Sequence, residues 1–296
     1  MIYQGGAHGV GASVVGILYG VGAHVTFGDI DEQGCKAVVD SLQRKNPDST
    51  GSLQYLRVDV RKYEDNLALF QAAFEKHGRV DHALCIAGIT EGQNWFENSL
   101  DLESIRTPPS TRVLDVNLLG AMYFVRIAAV YLRQNNTASS HSDKSIVLLG
   151  SLASFKEQAG LFVYQPAKHG VLGLLRSTRQ FLHTEHNIRV NIVCPSLIDT
   201  GMSSRILHVW KERSLPINSA DQVADYVTTL AALQKNPDKT DVTGLAVYVE
   251  GGNGWELEQD LDALDKQWMG EEMSNNAGII HSALGTGSGW TKELGP

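Results

Sequence analysis

The chain has only three cysteines in 296 residues, and Cys35, Cys85 and Cys194 stand far apart with no metal-ligand spacing. A disulfide framework and a cysteine-bound metal are therefore not what holds it together. Cys85 and Cys194 lie in apolar, strand-like runs, where a thiol serves as a small buried hydrophobe. Cations are also scarce: 25 Lys and Arg face 33 Asp and Glu, a formal net charge of -8. That balance argues against a nucleic-acid groove, which needs clustered Lys and Arg against phosphate. No run of 18 apolar residues is free of charge. The longest, residues 113–132, carries Asp115 and Arg126, so no membrane span is expected. No basic-then-apolar leader opens the sequence. With so little cysteine, the expectation is a reducing, cytoplasmic setting.

What is present is ordinary globular material, 43% hydrophobic and 20% charged, enough for a sizeable core. Length alone allows one or two domains. Strand-like and helix-like segments alternate: a very short start at residues 1–3, a helix over 12–19, a strand over 23–28, a helix over 33–44, a strand over 53–58, a helix over 63–77 and a strand over 80–86. Further on come a long helix over 111–132 and strands over 145–149, 188–194 and 245–249, the last ending at Gly251-Gly252. Such alternation predicts an α/β fold with a doubly wound parallel sheet, helices on both faces, in three α/β/α layers.

The first turn reads Gln4-Gly5-Gly6-Ala7-His8-Gly9-Val10-Gly11. Gly5, Gly9 and Gly11 permit a tight turn and close approach of a pyrophosphate, while the next helix offers free N–H groups and its positive dipole end. A flexible glycine-rich end would read the same way. Asp29 closes the second strand, where an acid accepts hydrogen bonds from ribose hydroxyls and repels a 2′-phosphate, favouring NAD over NADP. Its bland alternative is a helix cap, a role that Asp31 suits better. Asp59, followed by Val60, ends the third strand, at the sheet edge where ligands bind in such folds.

The second half carries chemistry. Tyr164 and Lys168 are four residues apart, so a helix puts them on one face. Pro166 between them requires that helix to be just starting. Ser151 follows the strand over 145–149. A strand-end serine, a phenol and an amine form an acid/base constellation for a carbonyl or alcohol, although a Tyr-xxx-Lys pair alone is weak evidence.

Taken in order, the glycine loop, Asp29, Asp59, Ala87-Gly88, Asn117, Ser151, Tyr164, Lys168 and the Pro195 segment resemble the short-chain dehydrogenase/reductases over about residues 4–252. The resemblance is to the single-domain Rossmann-like type, and in the extended tail to some fungal members. It implies a domain over 1–252 with a substrate lid at about 201–218, and a tail over 253–296 lying on the domain or on a partner subunit. It implies hydride transfer between a nicotinamide cofactor, NAD before NADP, and a small-molecule alcohol or ketone, in a homodimer or homotetramer paired through the helices at 111–132 and 163–182.

Residue roles follow from the same resemblance. Tyr164 is the general acid/base, its phenolate favoured by the Lys168 ammonium and by the oxidised nicotinamide. Lys168 also holds the nicotinamide ribose, Ser151 the substrate oxygen, and Asn117 a water that relays the proton. Cofactor contacts fall to Gly5, Gly9, Val10, Gly11, Asp29, Asp59, Val60, Ala87, Gly88, Pro195, Ile198 and Thr200. The apolar lid residues Met202, Ile206, Leu207 and Trp210 suit a hydrophobic substrate, and equally a helix packing stripe. The polar stretch 91–109, with Trp95 and Phe96, is expected near the site entrance, and 134–144 as a plain loop. Departures are Gln4 for the usual threonine, Ile86 for asparagine, Ser196 for glycine, and a shorter first strand. They leave open a non-redox isomerase, cyclase or ligand-binding scaffold on the same fold.

Overall fold

The computed structural model describes residues 1–134 and 143–285. Trp290 and most of the loop read over 134–144 lie outside the described residues. Eight strands form one sheet in the order β3-β2-β1-β4-β5-β6-β7-β8. They are β1 (Ile2–Gln4), β2 (His24–Asp29), β3 (Ser52–Arg57), β4 (His82–Cys85), β5 (Ser145–Leu149), β6 (Arg189–Pro195), β7 (Ala246–Glu250) and β8 (Asn253–Glu256). All neighbours pair parallel except the last, β7 with β8. The order reverses between β1 and β4, and the strands' carboxyl ends there open the crevice in which such sheets bind ligands.

Alternation along the strands explains the three layers. On β5, Ile146 and Leu148 face one core and Val147 the other; on β6, Val190, Ile192 and Cys194 oppose Val193. Successive strand side chains point to opposite faces, so apolar residues at every position mean a sheet covered on both sides. One core packs β-residues against α3 (Tyr63–His77), α5 (Gly120–Arg133) and α6 (Tyr164–His186). The other packs them against α1 (Gly9–Gly20) and α8 (Ala220–Ala232). The longest apolar run in the sequence is thus a core helix, with Ala121, Phe124, Val125, Ala128 and Leu132 buried. All three thiols are buried, and burial pushes Cys35 and Cys194 up to about 12.

One feature differs from the sequence expectation. Gly251-Gly252 does not end the sheet. Both residues have positive φ, 56° and 80°, and they turn the chain into β8, with Glu250 opposite Asn253. Two left-handed central residues are what a two-residue hairpin needs. The long helix is locally disturbed at Asn117, in line with the family resemblance: α4 (Arg112–Leu114) and α5 are joined by a π-helical turn, Asp115–Leu119.

Candidate active site

Tyr164 is the first residue of α6, so Pro166 falls in the first turn, where the missing N–H costs no helical bond. Lys168, one turn on, is 3% exposed and its Nζ lies 5.6 Å from the Tyr164 ring centre, on the same face. That ammonium donates to Leu149 O at 2.8 Å, at the carboxyl end of β5. Two residues further, Ser151 caps a 3-10 turn, Leu152–Ser154, its Oγ accepting from Ala153 N at 3.1 Å. Ser154 Oγ accepts from Ser151 N at 3.2 Å and donates to Lys168 O at 2.9 Å. The serine turn is therefore tied to the helix that carries the phenol and the amine.

Asn117 sits in the π-helical turn, 2% exposed. Its amide bonds both backbone groups of Ile89, accepting from the N–H and donating to the carbonyl at 2.8 Å each. A π-turn is costly in a helix interior and concentrates at functional sites. A Cβ on Gly88 would lie 3.4 Å from Asn117 Oδ1 and 3.7 Å from Lys168 Nζ. Gly88, Asn117 and Lys168 thus converge beneath Tyr164.

The glycine loop lies beside this cluster. A Cβ on Gly5 (φ +84°) would come within 2.7 Å of the Ala87 backbone, and one on Gly11 within 1.7 Å of Gly5 O. A Cβ on Gly9 would meet Thr200 Cγ2 at 3.2 Å, so the loop also abuts the segment after β6. No side chain caps α1 and its first turn holds no acid. Its N–H groups and positive dipole end suit a pyrophosphate, and side chains here would fill the cradle. Val10 is buried in that first turn.

Asp29 accepts from Ala7 N and from Asp31 N, each at 3.0 Å. The helix-cap role belongs to Asp31, whose carboxyl takes the Gly34 N–H at 3.0 Å and His8 Nε2 at 2.7 Å; the Gly34 bond and then His8 hold it below the usual carboxylate range. Asp59 is gripped by Arg61, which brings it down to about 2. Val60 beside it packs against Gly120.

Pro195 ends β6, and Ile198 bridges to Asn218. Asn218 is fully buried. It donates to Leu197 O at 3.1 Å and Val249 O at 3.0 Å, and accepts from Gly252 N at 3.0 Å. It fixes the loop that carries Ile198 and Thr200, a role not foreseen from the sequence. Gln4 Nε2 donates to Cys85 Sγ at 2.9 Å, and Ile86 is a buried apolar residue.

Glu91 was also missed. Its two carboxylate oxygens accept from Val163 N and Tyr164 N, both at 2.9 Å, so it caps the helix that begins with the phenol. These partners are 72 and 73 residues apart in sequence, and no local pattern announces them. Glu91 also lines a cleft of about 540 Å3 with Ile89, Trp95, Arg112, Val163 and Met202. The polar stretch after β4 does border the site. The arrangement offers a hydroxyl, a phenol and a buried ammonium next to a glycine cradle, and a half-apolar cleft adjoins the start of the phenol's helix through Glu91 and Val163. Such a set can hold a carbonyl or alcohol oxygen and move a proton to or from it.

Comparison with known proteins agrees with this geometry. A family model described as enoyl-(acyl carrier protein) reductase matches residues 5–253. The short-chain dehydrogenase/reductase ascJ of Acremonium egyptiacum is 33% identical over 202 residues, 68% of this chain and 64% of that protein. The 5′-hydroxyaverantin dehydrogenase of Dothistroma septosporum is 24% identical over 284 residues, 92% of this chain and 90% of that protein. The structure of 3-ketoacyl-(acyl-carrier-protein) reductase from Brucella melitensis, complexed with NADH, superposes with a TM-score of 0.68 at 22% identity, covering 85% of this chain and 96% of that one. With its Rossmann-like sheet and a family match spanning most of its length, the chain belongs to the short-chain dehydrogenase/reductase family of oxidoreductases.

Proposed function

We propose that this chain is an NAD(H)-dependent oxidoreductase that interconverts a secondary alcohol and its ketone on a hydrophobic metabolite, with Tyr164 as general acid/base. The observation that carries the reading is the buried Lys168 ammonium on the Tyr164 face, where Gly88 and Asn117 converge. A cation held there places positive charge beside the phenol that would pass the proton. Tyr164 then removes the proton of an alcohol or delivers one to a carbonyl, and Ser151 Oγ holds the reacting oxygen. Lys168 supplies the field and a donor for the nicotinamide ribose. Asn117, through a water, passes the proton outward.

Gly5, Gly9, Val10 and Gly11 would hold the pyrophosphate, Asp29 the adenosine ribose, and Asp59 with Val60 the adenine. Ala87 and Gly88 would line the ribose floor, and Pro195, Ile198 and Thr200 the carboxamide. Bound there, the nicotinamide supplies or accepts the hydride, and the protein contributes orientation and charge. NAD rather than NADP is favoured by Asp29, whose carboxylate is fixed by two backbone N–H groups beside the loop. A protein of the same fold binds NADH, and a relative is named as a dehydrogenase of a hydroxylated compound; both are consistent with this assignment.

The lid at 201–218, with Met202 and Ile206 half exposed, would close on the substrate. The exposed Met122 and Val130 on α5 support pairing there as a homodimer or homotetramer, and the exposed Met273, Ile279 and Ile280 of α11 (Glu271–Leu284) support a tail that lies on a partner subunit. Three buried thiols fit a reducing cytoplasm.

The test is reduced-nicotinamide absorbance with a panel of ketones and alcohols. Tyr164→Phe should lower turnover by about 10²–10⁴-fold while NADH still binds. Turnover at the wild-type rate in that variant would refute the assignment.

A further inference from the structure

The cleft beside Tyr164 has one acid and one base among its lining residues, and they do not pair. Glu91 spends both carboxylate oxygens on the backbone N–H groups that start α6. Its charge is matched to the positive end of that helix. Arg112, at the start of α4, lines the same cleft, and among the described residues its guanidinium has no carboxylate or hydrogen-bonding partner. Asp115, the acid nearest in sequence, accepts instead from Thr111 Oγ1 at 3.1 Å. Around Arg112 the wall mixes the apolar Trp95, Val113, Val163 and Met202 with the polar Gln93 and Ser110. Arg112 is exposed to solvent in this half-apolar cleft, and an unpaired guanidinium fork fits a carboxylate with two parallel bonds.

We infer that the substrate carries a carboxylate in addition to its reacting carbonyl or hydroxyl, and that Arg112 binds it while Trp95 and Met202 cover its apolar body. This rests on the oxidoreductase reading given above and narrows its substrate class. Uncharged analogues lose the ion pair.

The experiment compares a set of aromatic and aliphatic keto acids with their methyl esters, using the full-length chain and NADH. Wild type should show a KM for the best acid on the order of tenfold below that of its ester, with similar kcat. Arg112→Gln should erase that advantage, and Arg112→Lys should restore part of it, which loss of folding would not do. An acid-to-ester KM ratio that Arg112→Gln leaves at its wild-type value would overturn the inference. Should no compound be reduced, calorimetric titration of the acids decides. Binding of an acid lost in Arg112→Gln upholds the carboxylate site while counting against the redox reading. Acid binding equal in both proteins, or no binding of any acid, overturns the site.

Discussion

Tyr164 and Lys168 meet because the backbone between them is helical from its first residue, and Pro166 is tolerated for the same reason. That pair was legible in the sequence as a spacing. Glu91 was not, because its partners on the Tyr164 helix are brought near only by the crossing of the strand-end loop after β4. Replacing Glu91 with Ala leaves two N–H groups at that helix start without their acceptor. We expect a loss of about 1 kcal/mol in stability and a lower kcat, read by denaturant melts and initial rates, with Glu91→Asp recovering part of both. Asp29 is tested separately. Asp29→Ala should weaken NAD and relatively improve NADP, measured as the ratio of the two kcat/KM values; an unchanged ratio would place the selectivity elsewhere.

Helix and strand types followed from period and composition, since fully buried strands read as continuous apolar runs. The last hairpin did not. Residues 253–256 are mostly exposed and lack an apolar alternation, and Gly251-Gly252 serves equally to end a strand or to turn one back. The consequence lies one element further on, in α9 (Glu258–Ala263). Glu258, its carboxylate 3% exposed, bonds Arg176 at 2.6 Å and Arg179 at 2.8 Å, and so fastens the segment after the sheet to the helix that bears Tyr164. Glu258→Gln should cost roughly 2–3 kcal/mol, since two guanidinium groups lose their buried counter-charge. A thermal midpoint unchanged within error would show that the anchor contributes nothing. The π-helical turn at Asn117 is a subtler case: asparagine signals a poor helix former, but the bonds to Ile89 that hold the turn are long-range.

Over the whole molecule, the layered architecture and the position of the crevice were readable from the alternation of elements, and the glycine cradle from its loop. The cleft charges were not, because they depend on which side chains face one another across the sheet's carboxyl edge. Global stability should also carry a pH signature. His82 on β4 is held down to about 4, chiefly by burial, and bonds Ser145 Oγ at 2.9 Å. Its ring is neutral in the fold while the unfolded chain takes a proton below about 6.5. The associated stability is therefore present above about 6.5 and lost as pH falls toward 4. His82→Gln should flatten that slope in thermal melts between pH 7 and 4.5. The claim on which the rest depends is direct transfer of a hydride beside Tyr164. With NADH dideuterated at the nicotinamide C4 and a ketone substrate, mass spectrometry of the product alcohol reads that transfer. Deuterium on the carbinol carbon is the predicted result, with the labelled product forming about 10²–10⁴-fold more slowly when Tyr164 is Phe. Product formed without deuterium, from cofactor that keeps its label, would contradict it.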